Sequence, residues 1–196
     1  MSYMRLGDSS SKFAILGALS LRPASGYDIK QFAASSIGHF WNESYGSIYP
    51  ILKKLVRAKL IQPQKGPQTG RDRTVYAITP QGEQALREWL LQSPRTEPFR
   101  SEILLKLFFA RRVPADISVM HVKERKVAEA RRLATYAQVE DELTRQHGGH
   151  PELPYWLMTL NYGRHRSEAV IEWCNETLSS LAKLQKTSKQ KKRGTK

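Results

Sequence analysis

The sequence has few of the features that mark secreted, membrane-spanning or redox-active proteins. It contains one cysteine, Cys174, which excludes an intramolecular disulfide and a thiolate-rich zinc site. No apolar run approaches the roughly 18 residues needed to cross a membrane. Residues 1–5 also lack the apolar core of a signal peptide. We therefore expect a cytoplasmic protein.

Patterns typical of catalysis or metal binding are also missing. No nucleophile, base and orienting acid stand at spacings that favour an active site. The glycines at 66–70 lack the Gly-Lys-Ser/Thr ending of a phosphate-binding loop. His147, His150 and Glu152 carry side chains that can bind a metal ion. However, Gly148 directly after His147 is typical of the end of a helix, which explains this segment without a metal. We expect no enzymatic activity, no metal and no cofactor.

Acidic residues are too few to balance the basic ones. The chain has 32 Lys and Arg against 18 Asp and Glu, a formal net charge of +14. Residues 1–92 hold 12 basic against 6 acidic residues, and residues 93–182 hold 13 against 12. Residues 183–196 hold 7 basic residues and no acidic one. This excess favours nucleic acid as a partner, and it lies at the two ends of the chain.

The basic C-terminal segment is predicted to be a disordered tail spanning residues 185–196. It has no apolar residue after Leu184, so little burial would offset the entropy lost on ordering. Such a tail is either a solvated end or an arm that binds phosphates without sequence preference. The composition leaves both interpretations open.

The pattern of residues 1–92 predicts three helices, a two-stranded hairpin and a fourth helix. Two alternating segments flank the Gly- and Pro-rich turn at 65–73, and Thr79 with Pro80 begins the fourth helix. This order is typical of a winged helix-turn-helix domain, which places its third helix in the major groove of DNA. In that third helix the apolar residues follow the amphipathic spacing: Ile48, Ile51, Leu52, Leu55 and Val56.

The opposite face of the third helix is polar and basic. Tyr49, Lys53 and Arg57 fall in line at four-residue spacing, with Lys54 at the flank. A solvated helix shows the same pattern, so the helix alone does not decide between DNA and solvent. The basic turn of the hairpin favours DNA. The candidate DNA-binding residues are Ser44, Ser47, Tyr49, Lys53, Lys54, Arg57, Lys65, Arg71 and Arg73.

Residues 93–184 are predicted to form a helical domain. One long helix at 115–146 carries a loose apolar stripe that includes Met120, Val127 and Ala134. The last helix carries a heptad-like stripe of Leu157, Leu160, Arg164, Ser167, Ile171, Cys174, Leu178 and Leu181.

A second apolar face adjoins that stripe, so the last helix needs two partners. Dimerisation is the economical explanation, and a bundle formed within one chain is the alternative. Cys174 is either a small core residue or an intersubunit disulfide partner. We expect the dimer interface at Leu157, Leu160, Arg164, Ile171, Cys174, Leu178 and Leu181.

Three runs of this sequence resemble the PadR family of bacterial transcriptional regulators. They are GYDIKQF at 26–32, S-I-Y-P-x-L-x-x-L at 47–55 and VYAITPQG at 75–82. The resemblance extends over nearly the whole chain and fits the subgroup with a larger helical C-terminal domain. It implies a homodimeric repressor bound to an inverted-repeat operator in double-stranded DNA. It also implies DNA contacts from Ser44, Ser47, Tyr49 and Lys53, and a packing role for Tyr76.

The family resemblance further implies release from DNA by a small ligand, which is a phenolic acid in its founding members. An aromatic pocket between the domains is the place to expect such a ligand. The candidate effector-binding residues are Phe13, His39, Trp41, Phe108, Tyr155 and Trp156.

The expected protein is mostly α-helical. A winged helix-turn-helix with a two-stranded β wing spans 1–92, an antiparallel helical dimerisation domain spans 93–184, and the tail follows. The alternative is a non-specific nucleic-acid-binding protein driven by the basic tail and surface charge.

Overall fold

The computed structural model describes residues 10–40, 48–64, 74–95 and 99–193. The chain divides into two units, Met1–Thr96 and Glu97–Lys196, so the boundary follows Thr96 rather than residue 92. In the N-terminal unit the helices are α1 (Ser10–Leu21), α2 (Gly26–Ser35), α3 (Ile48–Arg57) and α4 (Pro80–Leu90), with a 3-10 turn at Ile37–His39.

The small sheet of this unit has three antiparallel strands in the order β1-β3-β2. The predicted hairpin forms its larger part, β2 (Ile61–Gln64) and β3 (Val75–Ile78). The additional strand β1 (Ala24–Ser25) pairs with the other edge of β3. Pro63 lies in the edge strand β2, opposite Tyr76, which is where a residue without an amide hydrogen is tolerated.

An apolar core joins the helices to this sheet. Leu16 and Leu19 of α1, Leu52 of α3 and Ile61 of β2 are fully buried in it. Tyr76 is partly buried and packs against the same core, as the family resemblance implied. Burial of these side chains orients α3, because the apolar face of α3 has to point inward.

A tight turn connects α3 to the hairpin. Lys59 has φ 59°, the left-handed conformation that commonly ends a helix. The Leu60 amide donates to the Leu55 carbonyl at 3.0 Å, and the Lys59 amide donates to the Val56 carbonyl at 3.0 Å. The Thr79 hydroxyl then donates to the Lys59 carbonyl at 2.8 Å. These bonds fix the start of β2 and of α4 relative to the end of α3.

The C-terminal unit consists of a short helix and two long ones. The elements are α5 (Glu102–Phe108), a 3-10 turn (Ala110–Arg112), α6 (Ala115–His147) and α7 (Leu153–Arg193). α6 and α7 are antiparallel, since Glu129 contacts Ser167 whereas His147 contacts Trp156 nearer the turn. No helix among the described residues is long and apolar enough to cross a membrane.

Two details of this unit differ from the sequence expectation. The predicted disordered tail began at residue 185, but α7 continues to Arg193 because no glycine or proline interrupts the chain before Gly194. The predicted apolar stripe of α6 is about half exposed at Met120 and Val127. A different face of α6 is buried, and it contains Ser118, Val122, Glu129 and Tyr136.

Candidate nucleic-acid interface

The exposed face of α3 is the candidate interface, and burial of the opposite face defines it. Ile48, Ile51, Leu52 and Leu55 are all buried, as the amphipathic pattern predicted. At about 100° per residue, the positions between them must point to solvent.

Apart from Pro50, the exposed side chains of α3 are those predicted to contact DNA. Tyr49 is 59% exposed, and Lys53, Lys54 and Arg57 are exposed as well. Tyr49, Lys53 and Arg57 are four residues apart and so lie in one row along the helix. Within the described ranges, neither Lys53 nor Arg57 pairs with a carboxylate. The row therefore offers one phenol and two cations to a polyanion.

Glycine makes room for Tyr49 at the base of this row. A Cβ at Gly26, the first residue of α2, would lie 2.8 Å from Cε1 of Tyr49. The Tyr49 ring thus lies directly on the backbone of Gly26. Sequence reasoning missed this contact, and a glycine at the start of a capped helix is the only local signal of it.

The remaining candidate contacts fall outside the described residues. In the sequence, Ser44 and Ser47 precede α3, and Lys65, Arg71 and Arg73 fall between β2 and β3. The strands on either side of residues 65–73 are described, and they pair in register from Ile61 with Ile78 to Gln64 with Val75.

In the C-terminal unit, part of the heptad stripe packs against α6 of the same chain. Leu160 and Cys174 are buried there, whereas Arg164 is exposed and Leu157, Ile171, Leu178 and Leu181 are partly buried. Cys174 has 0% exposure, and burial raises the pKa of its thiol. A thiol in this environment is protonated and inaccessible.

A polar cluster accompanies Cys174 between α6 and α7. Glu129 is 2% exposed and accepts a hydrogen bond from the Ser167 hydroxyl at 2.8 Å. Its other oxygen lies 2.6 Å from Nη2 of Arg125 and 3.4 Å from Nη1 of Arg132. Nε of Arg125 is buried and has no partner among the described residues. The cluster joins the two helices at one defined register.

The candidate effector residues do not form one set within a single unit. Phe13 belongs to the N-terminal unit, where its ring stacks on Trp89 with centroids 4.6 Å apart. Phe108 is 82% exposed and Tyr155 is exposed too, both in the C-terminal unit. The His39 side chain and Trp41 lie outside the description.

Trp156 lies at the turn between α6 and α7, beside two histidines. It stacks on His150 at 4.8 Å and meets His147 edge-on at 5.5 Å. The Glu152 amide donates to Nδ1 of His150 at 3.1 Å. In the described parts of the chain, no group of three or more His, Cys, Asp or Glu residues is arranged to hold a metal ion.

The helices, the paired strands and the cationic row on α3 define the class of winged helix-turn-helix DNA-binding proteins, here joined to a helical C-terminal unit. The sequence matches two family models: the transcriptional regulator PadR-like family over residues 15–88 and the virulence activator alpha C-terminal family over residues 99–182. Over residues 15–88 the chain thus matches the PadR-like family of transcriptional regulators, as its sequence resemblance predicted.

Known relatives agree with this assignment along nearly their whole length. The negative transcriptional regulator PadR of Bacillus subtilis is 27% identical over 178 residues, which are 88% of this chain and 97% of that protein. Its crystal structure in complex with operator DNA aligns with a TM-score of 0.76 at 26% identity and covers 88% of this chain and 99% of that one. Its complex with p-coumaric acid aligns with a TM-score of 0.70 at 26% identity, over 87% and 98% of the two chains. The predicted fold class and family are thereby confirmed.

Proposed function

We propose that this protein is a homodimeric repressor that binds an inverted-repeat operator and leaves it when a small phenolic ligand binds. The observation that carries the proposal is the row of Tyr49, Lys53 and Arg57 on the exposed face of α3. A repressor acts where the chromosome is, so we place it in the cytoplasm. Binding alone accounts for this activity, and we propose no catalysis.

DNA binding would use α3 and residues 65–73, which fall between β2 and β3 in the sequence. The row on α3 presents side chains at the spacing with which a helix reads the major groove. Bacillus subtilis PadR, with the same fold, was crystallised on operator DNA. The proposed DNA-contacting residues are Ser44, Ser47, Tyr49, Lys53, Lys54, Arg57, Lys65, Arg71 and Arg73.

Dimerisation is supported by apolar side chains that α5 and α7 leave uncovered. No residue of α5 is buried, and Leu105 and Phe108 are largely exposed. Tyr155, Met158 and Tyr162 are exposed on α7 and share one face by their spacing. A second copy of the chain would cover these surfaces.

The partly buried members of the heptad stripe belong to the same proposed interface. They are Leu157, Ile171, Leu178 and Leu181, with Arg164 at its edge. Leu160 and Cys174 would support the interface from within the chain. Two-fold symmetry would then set two α3 helices about 34 Å apart, one turn of DNA.

Release by a ligand requires that the ligand bind the DNA-competent and DNA-incompetent states with different affinities. Aromatic side chains favour a flat aromatic ligand, and Bacillus subtilis PadR was crystallised with p-coumaric acid. Phe108, Tyr155 and Trp156 are the proposed contacts in the C-terminal unit. Phe13, His39 and Trp41 are the proposed contacts from the N-terminal unit.

The alternative function is binding of nucleic acid without sequence preference through the basic C-terminal end. Residues 183–196 contain 7 basic residues and no acidic residue to offset their charge. Affinity from this source falls steeply with salt, with a log–log slope of about −0.9 per phosphate neutralised. Specific binding through α3 would survive removal of the segment.

Selection of genomic fragments by the purified full-length protein, followed by footprinting, tests the proposal. We expect a shared motif with half-sites about 10 base pairs apart. Lys53→Ala should weaken binding to that motif, whereas Lys123→Ala, an equal loss of charge on α6, should not. Fragments without a shared motif, together with loss of all binding on deletion of residues 183–196, would reject the repressor in favour of the alternative.

A further inference from the structure

The ring of Tyr49 lies on the first residue of α2, and we propose that Gly26 is a positioning residue that aims the Tyr49 hydroxyl at DNA. This inference rests on the proposed function, because it concerns how α3 presents one of its DNA-contacting side chains. It adds a residue that touches no DNA itself and lies on a different helix.

The contact between Gly26 and Tyr49 leaves no room for a side chain at position 26. A Cβ there would lie 2.8 Å from Cε1 and 3.2 Å from Cζ of Tyr49, and 3.2 Å from Cδ1 of Leu52. A contact of 2.8 Å between carbon atoms is far inside van der Waals distance. Gly26 is helical and does not have a left-handed backbone, so close approach rather than conformation calls for glycine.

The backbone of Gly26 is fixed on both sides. The preceding residue, Ser25, pairs with Val75 in the sheet. The Ser25 hydroxyl accepts from the Asp28 amide at 3.2 Å, and the Ser25 amide donates to the Asp28 carboxylate at 3.0 Å, which forms a capping box. A residue held by a strand pair and a helix cap cannot withdraw from the ring.

If a side chain were present at position 26, Tyr49 is the residue that could move away. Its side chain is largely exposed, so its ring can rotate into solvent at little cost in packing. With glycine at position 26, the edge of the ring that carries Cε1 and Cζ, next to the hydroxyl, is supported from one side. A supported ring loses less conformational entropy when it binds, which favours affinity.

A positioning role and a purely structural role of Gly26 predict different outcomes. If Gly26 only allows α2 and α3 to pack closely, an added Cβ crowds the Leu52 side chain and lowers the stability of the protein. If Gly26 positions Tyr49, the same Cβ displaces the phenol and lowers affinity for DNA while stability changes little.

The experiment compares Gly26→Ala with Gly17→Ala in the full-length protein, using the operator fragment obtained by genomic selection. Gly17 is the matched control because a Cβ there meets no described heavy atom within 4 Å. We expect Gly26→Ala to weaken operator binding about tenfold, the loss typical of one hydrogen bond to a charged group. Gly17→Ala should bind within about twofold of the unaltered protein.

A double-mutant cycle with Tyr49→Ala identifies the route of the effect. In the Tyr49→Ala background, Gly26→Ala should change affinity by less than about twofold, because no ring remains to be displaced. Tyr49→Phe keeps the ring and should show the loss caused by the hydroxyl alone. An equal loss of affinity in both backgrounds would overturn the proposal, and so would a Gly26→Ala protein that fails to fold.

Failure of this inference can be told apart from failure of the proposed function. If the unaltered protein selects no sequence motif, the repressor and the positioning role fall together. If it binds its motif and Gly26→Ala binds equally well, only the positioning role is rejected.

Discussion

In the N-terminal unit the least exposed side chains include Leu16, Leu52 and Ile61, whereas α6 and α7 bury Glu129 and Ser167 between them. Apolar burial is non-directional, and it tolerates changes of shape that keep volume and hydrophobicity. A buried carboxylate requires partners at particular positions, because an unpaired charge in the interior is costly. The N-terminal unit thus stabilises α3 by apolar packing, while the C-terminal unit sets the register of two long helices by polar contacts.

The largest expected effect tests the apolar side of this comparison. Leu52→Ala should lower the free energy of unfolding by about 4 kcal/mol, because it removes a fully buried side chain and leaves a cavity. Leu52→Met, which nearly conserves volume, should cost less than about 1.5 kcal/mol. Urea denaturation at one fixed protein concentration measures both. Equal losses of unfolding free energy in the two variants would mean that the core requires the exact shape of the leucine side chain, not only its volume.

The same measurement on Glu129 tests the polar side. Glu129→Gln keeps the shape of the side chain but removes the negative charge that pairs with Arg125 and accepts the Ser167 hydrogen bond. We therefore expect the free energy of unfolding to fall by about 3 kcal/mol. Glu140→Gln, on the exposed surface of α6, should change stability by less than about 0.5 kcal/mol. A loss below about 1 kcal/mol for Glu129→Gln would show that packing alone holds α6 against α7.

A smaller effect of opposite sign is expected at the turn after α3. Lys59→Gly should raise the free energy of unfolding by about 1 kcal/mol, because glycine adopts the left-handed conformation without strain. Ala58→Gly, one residue earlier, should lower it by about 0.5 kcal/mol, since its backbone has no positive φ. Thermal unfolding of the two variants checks the sign, and a destabilised Lys59→Gly would contradict the prediction.

The smallest effect concerns Cys174 and pH. Burial raises the pKa of this thiol in the folded state, so the folded protein holds its proton at a pH where the unfolded chain releases it. Stability should therefore fall as pH rises through the thiol's ordinary range, by under about 1 kcal/mol between pH 7 and 9. Urea denaturation of Cys174→Ala across that range should show a shallower decline. The same pH dependence of stability in Cys174→Ala and in the unaltered protein would mean that burial does not raise the pKa of the thiol.

The exposed row on α3 was predictable because strong periodicity determines it. Ile48, Ile51 and Leu55 repeat at helical spacing, and this repeat alone places Tyr49 and Lys53 on the outside. The contact of Tyr49 with Gly26 was not predictable, because it joins two helices whose packing no local pattern encodes.

The arrangement of α6 was predicted less well, for a physical reason. Periodicity analysis counts apolar residues, and the buried face of α6 contains Ser118 and Glu129. Strand β1 was also missed, since two residues carry no pattern and their pairing depends on β3. On α7 the heptad spacing identified a buried face that includes Leu160, but spacing cannot tell whether the same chain or a second copy covers it.

Pro63 has a consequence for how molecules of this protein behave at high concentration. An edge strand normally offers free amide groups on which another chain can build a further strand. β2 is an edge of only four residues, and Pro63 removes one of its donors. β2 is therefore a poor template for a strand from a second molecule, which disfavours edge-to-edge aggregation at high local concentration.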